Sequence, residues 1–144
     1  MEHIYQSKVL PYSAEQMYDL VNDVSQYREF IPYCTHSDII EQHDQHLSAT
    51  LGFGFAGFEQ KFSTKNTLIP GQRIQVNLLN GPFNHLEGIW TFISRAKDCS
   101  EVSVDFAFEL NHGFLNTLFN PVLKEVTSRL VQTFADRAQS QYGR

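Results

Sequence analysis

Groups that could bind a metal or move a proton are present in this chain, but not in the arrangements such chemistry needs. Six histidines invite a metal reading. His36, His43 and His46 match no zinc spacing and fall in a polar, turn-rich stretch, so they read as surface side chains, as do His85 and His112, each alone beside a turn. Serine, histidine and aspartate occur without a GxSxG, HExxH or paired Cys and His context. The run GFGFAG at Gly52 to Gly57 lacks the Lys-Ser/Thr and the helix of a phosphate loop, and its phenylalanines alternate like strand residues. Its expected role is to let a sheet bend, together with Gly88. Glu87 and Glu109 sit in strand-like segments among apolar residues, and the alternation points both outward. No catalytic residue and no metal site is expected, so the chain reads as a protein that is not an enzyme.

What remains is binding by apolar surface. The chain holds twelve phenylalanines and one tryptophan. Phe62, Trp90, Phe92, Phe106 and Phe108 share the parity opposite to the carboxylates and are placed to surround an apolar ligand; as a solid core they would look the same.

The elements that position them follow from periodicity. A first strand over His3 to Leu10 ends at Pro11. Ser13 with Gln16 makes a capping box, and Tyr12 with Met17 a hydrophobic staple, which predicts a helix over Ala14 to Asn22. A second short helix is expected over Val24 to Phe30, stopped by Pro32. From Tyr33 the period becomes two: strands near 35–42, 47–55, 58–69, 74–78, 86–93 and 102–110 make a meander with hairpin connections. The closing stretch returns to helical period, with Leu118, Val122, Val126, Leu130 and Phe134 in one stripe. Asn120-Pro121 predicts a helix start or a kink there. The pattern as a whole is α+β: a curved antiparallel sheet of about seven strands wrapped around a long C-terminal helix, with two short helices after the first strand.

A length of 144 residues is economically one domain, 1–144, and a net charge of -5 argues against DNA or broad nucleic-acid adhesion. Two separated cysteines and an N-terminus without an apolar leader point to the cytoplasm. No run approaches the roughly twenty apolar residues of a transmembrane segment.

SAEQMYDLVNDV followed by Tyr27, Phe30, Pro32 and Cys34, then GPFNHLEGIW at Gly81 to Trp90 with Phe92, then NPVLKEVTSRLVQTF, resemble the RatA and coenzyme Q-binding branch of the START-like, helix-grip proteins. The resemblance spans essentially the whole chain; Arg28 and Tyr33 depart from it, standing where proline and tryptophan are common. It implies two roles. Bacterial members are ribosome association toxins of toxin-antitoxin pairs, which bind the large (50S) ribosomal subunit and stop it joining the small one. Other relatives bind ubiquinone in the helix-grip cavity and support cellular respiration without catalysis. With no cofactor required, the expected ligand is ubiquinone or another isoprenoid lipid, and the expected partners are the large subunit and a small antitoxin protein. The candidate lipid-binding wall is Phe53, Phe62, Trp90, Phe92, Phe106, Phe108, Val122 and Val126, with Phe83 either gating the entrance or capping the core. Phosphate contact would need a local cluster of Lys61, Lys65, Arg73 and Arg95. A polyketide cyclase-like enzyme, the third reading, needs an acid or base inside the cavity, and none is placed there.

Overall fold

The first helix begins where its capping residues stand. In the computed structural model, which describes residues 1–143, the Gln16 amide donates to the Ser13 hydroxyl at 3.1 Å and the Ser13 amide to the Gln16 side chain at 3.0 Å. Helix α1 (Ala14–Asn22) follows and buries Met17, Leu20 and Val21. The second short helix is a 3₁₀ helix over Val24–Glu29.

Seven strands are found among the described residues: β1 (Glu2–Leu10), β2 (Cys34–Gln42), β3 (His46–Phe55), β4 (Phe58–Ile69), β5 (Arg73–Asn80), β6 (Phe83–Ala96) and β7 (Cys99–Leu110). They form one antiparallel sheet in the order β1-β7-β6-β5-β4-β3-β2. Strands β2 to β7 are the meander. β1 pairs with β7, so α1 and the 3₁₀ helix carry the chain from one edge of the sheet to the other. Alternation sorts most of the faces as read: Leu47, Ala49, Phe53, Phe62, Ile74, Val76, Leu86, Trp90, Phe92, Val102, Val104 and Phe108 are buried, whereas Phe55 and Phe58, which share the inner parity, stand exposed at the β3–β4 connection.

The register shifts of the sheet fall at Cys34/His36, Ile39/Glu41, Ser63/Thr64, Phe83/His85 and Ser94/Ala96, the first of them opposite Gly52 and Phe53, where a Cβ on Gly52 would meet His36 at 3.0 Å. Gly57 (φ 84) forms the β3–β4 hairpin turn with Ala56 (φ 54), a pairing of positive φ values that matches a right-twisted hairpin. Gly88 lies opposite Phe106 in the register, and a Cβ there would sit 2.3 Å from the Phe106 ring. Its missing side chain is the space that ring occupies.

Of the two arrangements expected at Pro121, a helix start or a kink within one helix, the start is not found. Helix α2 (Phe114–Ser128) starts after Gly113 and runs through Pro121, and the break comes at Arg129, before α3 (Leu130–Tyr142). Proline removes one amide donor, which leaves the carbonyl four residues earlier, on exposed Thr117, to solvent. Meanwhile Phe119, Val122, Leu123 and Val126 keep the helix packed. At the break, the Thr127 hydroxyl donates back to the Leu123 carbonyl at 2.7 Å and the Ser128 hydroxyl to that of Glu125 at 2.8 Å, contacts that loosen a helix. Gln6 of β1 reaches the backbone on both sides of the break. Its Nε2 donates to the Thr127 and Ser128 carbonyls at 3.0 and 2.5 Å, and its Oε1 accepts from the Val131 amide at 3.1 Å.

Candidate functional site

Between the inner face of the sheet and the two C-terminal helices lies a cavity of about 100 Å³. Each element contributes to its wall by its own period. β3 supplies Leu51 and Phe53, β4 Phe62, Thr64 and Asn66, β5 Val76, β6 Phe83, Leu86 and Trp90, and β7 Phe106 and Phe108, all at inner-face positions. Leu123, Val126 and Thr127 of α2 and Leu130 and Phe134 of α3 close it from the helix side, and Val24, Tyr27 and Ile31 close one end.

Seven of the nine candidate wall residues are brought together: Phe53, Phe62, Phe83, Trp90, Phe106, Phe108 and Val126. Phe92 and Val122 are not. Phe92 stacks behind Trp90 at 6.3 Å and meets Tyr18 of α1 edge-on at 5.7 Å, so it is core beyond the cavity. Val122 borders an outer crevice with Tyr33, Phe55, Phe114, Leu118 and Pro121, because its neighbour Leu123 takes the inward position on the helix. Phe83 is the first residue of β6, is buried, and packs edge-on against Phe62 at 5.1 Å and Phe108 at 6.4 Å. It forms part of the cavity wall. Phe134 meets Trp90, Tyr27 and Phe30 edge-on at 5.2 to 5.4 Å, which fixes α3 over the indole.

The wall carries no Asp, Glu, His, Lys or Arg among the described residues. Its hydroxyls are engaged by the backbone where the hydrogen bonds are seen: Tyr27 donates to the Val21 carbonyl and Thr127 to that of Leu123. Burial pushes the Tyr27 phenol far above its ordinary range. Asn66 is different, since its Oδ1 is enclosed and has no hydrogen-bond partner. Sequence reasoning missed Thr64 and Asn66, although both share the parity of Phe62 and Leu68; polar residues at inner positions were the available signal.

The outward carboxylates lie where parity put them. Glu87 pairs with His85 at 3.2 Å, and Glu109 accepts from Asn84 at 3.1 Å, a hydrogen bond that lowers its pKa. His3, His36 and His43 likewise face Asp105, Glu59 and Glu41. No cluster of three metal-ligating side chains is found among the described residues. The four basic residues of the expected phosphate cluster do not gather. Arg95 is paired with Glu101 and Lys61 with Glu59. Lys65 stands four residues from Ile69, the register partner of Arg73, so the two cations are roughly 13 Å apart along the strands. Cys34, half-buried, has its thiol pushed up to about 11 by desolvation.

Comparison with known proteins places this geometry. Residues 10–135 match the family model described as polyketide cyclase / dehydrase and lipid transport. The ribosome association toxin RatA of Pseudomonas aeruginosa is 35% identical over 141 residues, covering 98% of each chain. The mitochondrial coenzyme Q-binding protein COQ10 homolog B of Xenopus laevis is 34% identical over 96% of this chain and 59% of its own length. Among solved structures, the Zhui aromatase/cyclase of a Streptomyces superposes with a TM-score of 0.80 at 15% identity, over 98% of this chain and 95% of that one, and so shares the fold. The chain therefore belongs to the polyketide cyclase / dehydrase and lipid transport family, on the START-like helix-grip fold, in the branch that holds RatA and the coenzyme Q-binding proteins.

Proposed function

We propose that this chain is a non-enzymatic, cytoplasmic ribosome association factor of the toxin type, which binds the large ribosomal subunit and blocks subunit joining, and whose cavity takes the ring of a quinone-like lipid. The observation that carries the ribosomal half is the extent of the likeness: relatives named ribosome association toxin match 98 to 99% of this chain at 35 to 37% identity. A small antitoxin protein is the partner this role implies. The non-enzymatic half rests on the wall, which offers a reacting substrate no group that titrates near neutrality. With Lys61 and Arg95 ion-paired and Lys65 and Arg73 apart, the chain is suited to meet the ribosome through ribosomal protein more than through phosphate. The test is sedimentation of purified protein with separated subunits. Co-migration with the large subunit and fewer joined ribosomes is the expected result; migration with neither subunit overturns it.

A second reading, a quinone-binding accessory protein of respiration without ribosomal activity, is favoured by the apolar wall and by the likeness to the coenzyme Q-binding relative. The cavity bounds what it would hold. A void of about 150 Å³ admits benzene, so about 100 Å³ takes a substituted ring only if side chains move, and it takes no isoprenoid tail. The tail would lie in the outer crevice of about 440 Å³. Leu118 and Val122 there precede Val126 of the cavity on one helix stripe, as Phe55 follows Phe53 on β3. Quinone extracted with the native protein, together with no ribosome association, would select this reading.

A further inference from the structure

Asn66 is the feature of the cavity that an apolar core has no use for. It lies on β4 between Leu47 of β3 and Val76 of β5, faces inward at 6% exposure, and borders the cavity. Its Oδ1 is enclosed without a hydrogen-bond partner. Leaving a buried amide oxygen unpaired costs stability, and a strand position between Leu and Val is well served by an aliphatic side chain. Thr64, two residues away on the same face, is 4% exposed and borders the same cavity, so this patch of β4 is its polar spot.

We propose that Asn66 is the anchor that orients a ligand in this cavity, by hydrogen bonding to an oxygen on an otherwise apolar, uncharged ring. Through Oδ1 it accepts from a ring hydroxyl; after rotation about χ2, Nδ2 donates to a ring carbonyl. The same side chain therefore holds a ring in either its hydroxyl or its carbonyl form. A charged ligand is disfavoured, because the wall has no counter-ion for it. This inference rests on the cavity being a ligand site and adds which residue reads the ligand and which ligand chemistry it reads.

The test uses three probes under anaerobic calorimetry: a short-chain ubiquinone, its quinol, and the di-O-methyl ether of the quinol, which cannot donate. Wild type is expected to bind quinone and quinol, with the ether weaker by roughly tenfold, the loss of one hydrogen bond. Asn66→Leu should erase that preference, and comparing the two proteins cancels the bulk of the added methyls. Unliganded Asn66→Leu should melt at or above the wild-type temperature, because an unpaired polar group has been removed; Asn66→Val serves as a second variant of smaller volume. Retention of the wild-type preference in both variants, equal binding of quinol and ether by wild type, or a lower melting temperature in both variants would each overturn the proposal. If wild type binds none of the three probes, the reading of the cavity as a ligand site fails first.

Discussion

Removing the Gln6 side chain should unfasten the two C-terminal helices from the sheet. The carboxamide makes three hydrogen bonds across the break at Arg129, two to carbonyls and one from an amide, and so joins the end of α2 and the start of α3 to β1. At a net contribution of about 1 kcal/mol per bond, and with one carbonyl contact open to solvent, Gln6→Ala should cost about 2 kcal/mol. For a chain of this length that corresponds to a fall of roughly 6 to 8 °C in melting temperature. Lys8→Ala is the control on the same strand, since its ammonium meets Gln132 at 2.7 Å in an exposed contact; it should change stability by less than about 0.5 kcal/mol. The assay is urea denaturation followed by circular dichroism, with thermal melting beside it. A Gln6→Ala loss no greater than that of Lys8→Ala would refute the view that the break is held from β1.

Three further outcomes follow from the geometry. Gly88→Ala puts a methyl 2.3 Å from the Phe106 ring and should cost about 1 to 3 kcal/mol, with Phe106→Leu added in the same chain recovering part of it; a neutral Gly88→Ala in a melt would contradict the packing. Glu59 is held below its ordinary value of 4.5, first by the hydrogen bond from Thr35 and then by His36 and Lys61. A depressed carboxylate stabilises above its unfolded pKa and loses that effect as pH falls through the folded value, so Glu59→Gln should flatten the drop in melting temperature below about pH 4.5. Cys34, at about 11, should be alkylated by iodoacetamide at pH 8 roughly a hundredfold more slowly than free cysteine, as read by mass spectrometry.

The sequence made visible whatever depends on neighbours along the chain. Ser13 and Gln16 announce α1 because a capping box closes within four residues. The inner faces of β3, β4, β6 and β7 can be read from alternation, which gives Phe53, Phe62, Trp90, Phe106 and Phe108 of the wall, while Val126 follows from the helical period of α2. What alternation cannot give is distance. It does not separate Phe92, behind Trp90, from Trp90 itself, nor fix the cavity at about 100 Å³. Pro121 suggested a helix start, one of two arrangements expected there, that is not found, because its local cost was visible and the compensating partner was not. Gln6, more than a hundred residues from Thr127, holds the break where it is. Asn66 was hidden for another reason: one polar residue on an inner face reads as noise until its lack of a partner is seen.

Trp90 is the single tryptophan of the chain and borders the cavity, so its emission responds to a ligand bound there. Titration with a short-chain ubiquinone is the direct measurement. Ring binding in the cavity predicts saturable quenching at one ligand per chain, weakened in Asn66→Leu. Linear quenching without saturation, equal to that of free tryptophan in solution, would contradict the account.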